Sequence, residues 1–180
     1  MTNGVHTTRT ELEDYRDHLE RCRAVTLAVL DAVPDEHLSW RPAPDLFTVG
    51  QQLVHIAQAE DRYIHGLFTG DWDYERVRLP KPVPPRAQIR TLYEDVRQRT
   101  RSHLEGLSDE RFGDVIEVPD APVSWSLRAW LWFILEHELL HRGQLVQYLR
   151  ALGVEPPFYA MVLEGGARPD ISARAALGGV

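Results

Sequence analysis

Four stretches of the sequence carry apolar residues at the spacing of an α-helix, and proline-rich connections separate them. The first runs from about 10 to 33, the second from 48 to 70, the third begins after Pro85, and the fourth extends from about 124 or 126 to Gly153. Apolar residues three and four positions apart form one stripe on a helix, and that stripe has to be buried against another element. The pattern predicts an all-α protein, with a four-helix bundle as the simplest architecture.

The signals at the ends of these segments agree with this division. Thr48 followed by Gln51 forms a capping box at the start of the second segment, and Gly70 is a typical helix stop. The connection GDWDYERVRLPKPVPP to the third segment is longer than a tight antiparallel turn needs, which predicts a long crossover. The stretch VIEV at 115–118 is predicted to form a short extended piece.

The length and composition predict a single domain. A chain of 180 residues with 43% hydrophobic residues can bury one sizeable core. We expect one domain over 1–180, with a core over about 10–160 and a loop-like C-terminal tail. Four apolar residues of this tail are expected to pack: Phe158, Tyr159, Met161 and Leu163.

Charge and cysteine content exclude several classes of partner. The formal net charge of −7 disfavours nucleic acid and anionic membrane surfaces. Cys22 is the only cysteine, so no intrachain disulfide can form, and a reducing cytoplasm fits best. The N-terminus lacks the apolar region of a secretory signal, and the most apolar stretch, AWLWFILEHELL, is too short and too charged to span a bilayer. We therefore expect a cytoplasmic protein with neither a nucleic-acid nor a membrane partner.

The fourth segment contains the phrase HELLH, with His137 and His141 four residues apart in the stripe that is predicted to face the core. Two imidazoles at this spacing can place their nitrogens at about 2.0–2.1 Å from one metal ion. The same spacing also suits a hydrogen-bonded pair of core histidines. Metal binding is the favoured interpretation.

HELLH also matches the HExxH signature of zinc metalloproteases, in which the glutamate acts as a general base. A metzincin needs a third histidine at the position of Gln147, and a thermolysin-like site would have only Glu164 as its downstream glutamate. The protease is therefore the weaker interpretation. The helical wheel makes His55 of the second segment a boundary residue, and periodicity alone does not make it a ligand.

The stretches LSWRPAPDLFTVGQQLVHIAQAE at 38–60 and LEHELLHRGQLVQYLRALGVEPP at 135–157 resemble the DinB/YfiT family of metal-dependent bundle proteins. The resemblance covers roughly 10–160. It implies a three-histidine metal site made of His55, His137 and His141. The ion would be divalent, with zinc or nickel first and iron, manganese or cobalt as further options. It also implies that the HExxH match is accidental.

Three neutral histidines leave a bound ion with an open position at which a water or a thiol is activated. The resemblance implies a thiol-dependent S-transferase that uses a small bacterial thiol, bacillithiol or mycothiol, and a small electrophile. Candidates for a general base or for a residue that supports the ligands are Glu138, Glu60 and Tyr63; packing is an equally good reading of each.

Two other functions stay open at this point. With water as the nucleophile, the protein would be a metal-dependent hydrolase. With a structural or vestigial metal, it would be a non-enzymatic stress-induced protein. The resemblance, together with an aromatic-rich surface around Trp125, Trp130, Trp132 and Phe133, predicts a homodimer.

Overall fold

The computed structural model describes residues 9–119 and 122–157. Four helices account for most of the described residues and confirm the predicted all-α four-helix bundle. They are α1 (Glu11–Ala32), α2 (Val49–Thr69), α3 (Arg86–Glu105) and α4 (Leu127–Ala151). The predicted packing of the tail beyond 157, and the candidate Glu164, lie outside the described residues.

The helix ends form where the local sequence predicts them. The Thr10 hydroxyl accepts from the Glu13 amide and the Glu13 side chain accepts from the Thr10 amide, so α1 begins with a full capping box. Thr48 and Gln51 make the same reciprocal pair at α2. Gly70 ends α2 at φ 77°, a left-handed conformation that favours glycine.

The connections contain short elements only. Single 3₁₀ turns form at Asp35–His37, Tyr74–Val77 and Asp109–Gly113. Before α4, β1 (Val115–Glu117) pairs antiparallel with β2 (Ser124–Ser126), which confirms the extended piece predicted at 115–118.

The long crossover between α2 and α3 lies against α2. The Trp72 ring covers Gly66, where an added Cβ would come within 2.5 Å of the ring atoms. The Gln58 side chain donates to the Arg78 carbonyl at 3.0 Å. This segment therefore covers one face of α2, and Gly66 permits the close approach.

The core consists of two apolar clusters. One joins the beginning of α1, the end of α2 and the beginning of α4; the other joins the end of α1, the beginnings of α2 and α3, and the end of α4. Most residues of the predicted stripes are buried, among them Tyr15 and Leu19 of α1 and Ile89 and Val96 of α3. Among the described helices, none combines the length and apolar character of a membrane span.

A buried polar network lies inside the bundle and joins all four helices. Its members are Arg23 and Thr26 of α1, Glu60 of α2, Arg97 and Thr100 of α3, and Glu138 and Arg142 of α4, each of them no more than 5% exposed. Arg23 pairs with both Glu60 and Glu138, and Arg97 Nη2 lies 3.1 Å from Glu60 Oε2. Buried charges at this depth need such partners, so the network fixes how the helices face each other.

Candidate metal centre

His55, His137 and His141 meet at one place between α2 and α4. One ring nitrogen from each histidine lies within 4.8 Å of the other two, and no other cluster of three His, Cys, Asp or Glu ligands forms among the described residues. His137 and His141 point the same way because they are four residues apart on α4. His55 reaches them from the facing side of α2, where the capping box at Thr48 sets the start of the helix.

The distances within this group suit a shared ion. Nε2 of His137 and Nε2 of His141 are 3.1 Å apart, and the His55 ring centre lies 5.0 Å and 4.8 Å from the other two ring centres. Nitrogens that each lie about 2.1 Å from one tetrahedral zinc ion are separated by about 3.4 Å, and the 3.1 Å contact is close to this value. A hydrogen-bonded pair would explain the 3.1 Å contact alone, but it would not explain why a third ring converges on it.

Two glutamines hold the His141 ring. Its Nδ1 lies 2.9 Å from Gln144 Oε1, and a proton donated there leaves the Nε2 lone pair facing the other histidines. The Gln52 amide nitrogen lies 2.5 Å from both the His141 Nδ1 and the Gln144 Oε1; with the proton on Nδ1 it donates to Gln144 Oε1, so Gln52 supports the ring through Gln144. Neither glutamine is predicted from the sequence to be part of the site. The only signal for Gln52 was its place one turn before His55 on the same helix.

The environment keeps these imidazoles neutral. Burial, together with the neighbouring His141, lowers the pKa of His55 to about 4. Burial and the two neighbouring rings lower the pKa of His137 to about 3. Burial also lowers the pKa of His141, although its bond to Gln144 acts in the opposite direction. Neutral imidazoles are the form that binds metal, so the ligand set is ready at neutral pH.

Aromatic rings border the three histidines. The Phe47 ring centre is 5.3 Å from that of His55, and the rings of Tyr63 and Phe133 lie 6.1 Å and 6.3 Å from His137. All three histidines are half-buried, so the centre is neither sealed in the core nor fully exposed. Of the three residues proposed from the sequence as catalytic or supporting groups, only Tyr63 lies against the histidines.

Glu60 and Glu138 are engaged elsewhere. The Thr26 hydroxyl donates to Glu138 Oε1 at 2.6 Å, while Glu138 Oε2 pairs with Arg23. Thr100 donates to Glu60 at 2.7 Å. Burial opposes ionisation of Glu60, but the charges of Arg23 and Arg97 outweigh burial and lower the pKa of Glu60. Both carboxylates belong to the buried network, which favours the packing role that the sequence left open.

Other histidines within the described residues stay apart from this centre. His65 contacts Asp71 at 3.2 Å, and the His103 ring stacks on Phe68 at 5.1 Å. His18 packs at the edge of Trp132. None of these three histidines belongs to the group that could hold an ion within the described residues; His6 lies outside the described residues.

The fold and the site together define a class: a four-helix bundle in which one histidine of the second helix and an i, i+4 pair of the fourth form a group that could hold a metal ion. The DinB superfamily model matches residues 18–145, and the chain belongs to that superfamily.

Two similar proteins, one of them matched both by sequence and by crystal structure, agree with this assignment. The chain is 25% identical over 144 residues to the uncharacterised protein YjoA of Bacillus subtilis (strain 168), covering 79% of this chain and 92% of that protein. A DinB-like protein of Bacillus cereus ATCC 10987 superposes with a TM-score of 0.68 at 23% identity, over 81% of this chain and 95% of that one. The YjoA crystal structure superposes with a TM-score of 0.66 at 23% identity, over 81% and 97% of the two chains. The structural likenesses show the fold.

Proposed function

We propose that the protein is a metal-dependent S-transferase that joins a small bacterial thiol, bacillithiol or mycothiol, to a small electrophile. The observation that carries the proposal is the convergence of three neutral, half-buried histidines within 4.8 Å of one another. Their nitrogens fit one divalent ion, zinc or nickel first, and no fourth His, Cys, Asp or Glu ligand joins them among the described residues. Three-ligand sites with an open position are typical of catalytic metals, whereas structural sites are closed.

When bound, such an ion lowers the pKa of a thiol, so that the thiolate is available at neutral pH. The histidines supply neutral nitrogens, and Gln144 fixes the orientation of His141. Phe47, Tyr63 and Phe133 border the centre and limit the access of water. In the transfer, the sulfur forms a bond to the electrophilic carbon while the leaving group departs with its electron pair, and the thiol proton passes to solvent.

A three-histidine ligand set serves water and sulfur equally well as nucleophiles. Superfamily membership favours sulfur, because the resemblance to this family implies a thiol-dependent transferase. Small thiols are kept reduced in the cytoplasm, so we propose that the protein acts there. A metalloprotease would need the Glu138 carboxylate as its general base. Thr26 and Arg23 hold this carboxylate inside the bundle, which argues against a protease.

The test incubates the metal-loaded protein with chlorodinitrobenzene and either bacillithiol or mycothiol, and in parallel with ester and peptide substrates and no thiol. We expect thiol-dependent conjugation that is lost on chelation and in His137→Ala. His65→Ala is the matched control, because His65 lies on the same helix as His55 but contacts Asp71 instead. Metal-dependent ester hydrolysis with no thiol effect would replace the transferase by a hydrolase. A fully metallated protein inactive in every assay would favour the non-enzymatic function.

A further inference from the structure

Arg62 of α2 is a buried cation that has no counter-charge among the residues the structure describes. The residue is 7% exposed, and within the described ranges it makes no hydrogen bond or ion pair. Its Nε is fully buried and has no acceptor. Burial of an unpaired charge is costly, and a buried donor without a partner calls for an explanation.

The acidic residues that flank Arg62 in the sequence are already engaged, and Glu60 pairs with Arg23. Asp61 accepts from Arg76 at 3.1 Å and from Arg99 at 2.8 Å. Asp71 contacts His65 at 3.2 Å. Arg62 is therefore left without a carboxylate in a region where other arginines have one.

Aromatic rings surround the Arg62 guanidinium instead. Its Cζ lies 3.9 Å from the ring centre of Tyr74, 5.4 Å from that of Tyr63 and 5.8 Å from that of Trp72. Cation–π contacts offset part of the desolvation cost and hold the guanidinium in place. They do not use its N–H donors in the ring plane, so those donors stay free for a planar acceptor.

Arg62 and its three surrounding rings lie near the histidine centre. Arg62 follows His55 on nearly the same face of α2, roughly two turns and about 10 Å further along the axis. The Tyr63 ring lies between them, since it is 5.4 Å from Arg62 Cζ and 6.1 Å from the His137 ring. Tyr63 also contacts Phe133 and Trp130, so a continuous group of aromatic rings connects the histidines with Arg62.

We propose that Arg62 and its three rings, Tyr63, Trp72 and Tyr74, form an anion subsite that binds the carboxylate of the electrophilic substrate. This inference rests on the proposed function, because it places the reacting carbon at the histidine centre. The substrate class is then a small acid with an apolar or aromatic body that extends from Arg62 to the histidines. Arginine binds carboxylates through two parallel N–H bonds, and the body packs against Tyr63 and Phe133.

The binding test uses metal-free protein, so that a carboxylate cannot bind an ion at the histidines. Benzoate and its neutral analogue benzamide are titrated at constant ionic strength. Tryptophan fluorescence is the signal, because Trp72 is one of the three rings of the subsite. Benzoate should bind at least about tenfold more tightly than benzamide. Arg62→Gln should remove the difference, and Arg62→Lys should reduce it because lysine lacks the planar fork.

Arg76→Gln is the matched control, since Arg76 lies in the crossover that supplies Trp72 and Tyr74 but already pairs with Asp61; it should keep the preference for benzoate. Equal affinities of benzoate and benzamide in the unaltered protein would overturn the subsite, and so would a preference that persists in Arg62→Gln. If Arg62→Gln does not fold, the unaltered protein and Arg62→Lys decide. Because no thiol is present, a preference for benzoate stands even if the transferase proposal fails, and its absence leaves the transferase intact.

Discussion

The hydrogen bond between Gln144 and His141 is the contact at residue scale on which the ligand geometry depends. Gln144→Leu removes the acceptor of the His141 Nδ1 proton, so the ring loses its fixed orientation and tautomer. We expect the affinity for zinc to fall by about 10- to 100-fold. Competition with a chromophoric chelator measures this. Gln147→Leu, an exposed change on the same helix, should leave the affinity unchanged; an equal loss in both variants would argue against orientation by Gln144.

The depressed histidine pKa values predict how the stability of the metal-free protein depends on pH. The unfolded chain takes up protons on these rings near pH 6.5, whereas the folded chain resists uptake until about pH 4 at His55 and about pH 3 at His137. The stability contribution of the neutral rings is therefore complete above about 6.5 and is lost as the pH falls through the folded values.

Urea unfolding of the metal-free protein between pH 7 and pH 4 measures this loss. His137→Ala should show a shallower decline over that range, because other titrating groups are common to both proteins. An identical slope in the two proteins would show that His137 does not resist protonation. The affinity for metal should also persist to lower pH than the value of about 6 expected from an ordinary imidazole.

At the scale of the helices, a substitution in the buried network distinguishes a structural role of Glu138 from a catalytic one. Glu138→Ala leaves Arg23 short of one carboxylate and removes the carboxylate that accepts from Thr26, whose hydroxyl keeps the Cys22 carbonyl at 3.1 Å as an acceptor. Breaking a buried pair in this way costs about 3–5 kcal/mol of unfolding free energy. The metal content should stay the same, since the Glu138 carboxylate is bound on the side of α1. Urea unfolding and elemental analysis measure the two quantities.

Glu136→Ala is the control for this prediction, because Glu136 is exposed on the same helix and should change neither stability nor metal content appreciably. Loss of metal in Glu138→Ala with unchanged stability would contradict the network and revive the HExxH reading.

The helices could be predicted from the sequence because local sequence signals determine where they begin and end. Thr48 with Gln51, and Gly70, act on their own neighbours, so no tertiary information is needed to place them. The buried network could not be predicted in this way. Arg23, Glu60 and Glu138 are charged residues within amphipathic helices, where solvent exposure is the usual outcome, and only the packing of four helices brings them together.

The candidate metal site could also be predicted from the sequence only in part. His137 and His141 follow from spacing within one helix, and the fold brings them together as predicted. His55 entered through the family resemblance, because its helical position alone marked a boundary residue. Arg62 gave no signal in the sequence, since its isolation from carboxylates depends on which partners Asp61 and Asp71 take in the folded chain.

At the scale of the whole molecule, we expect a homodimer. Of the aromatic surface proposed from the sequence, Trp125 is exposed and Trp130 is buried, while Leu139 and Leu140 of α4 add an exposed apolar pair at 44% and 61% exposure. Light scattering after size exclusion should give twice the mass of 20.6 kDa. Replacing both leucines by lysine should give the monomer, whereas Leu46→Lys should not; a monomer at all concentrations of the unaltered protein would remove the dimer.

The central claim is that His55, His137 and His141 together bind one metal ion. Elemental analysis of the purified protein, loaded with zinc and freed of excess, tests it most directly. We predict about one ion per chain in the unaltered protein and in His65→Ala and His103→Ala, and an empty site in His141→Ala. Retention of a stoichiometric ion by a folded His141→Ala variant would contradict the three-histidine centre.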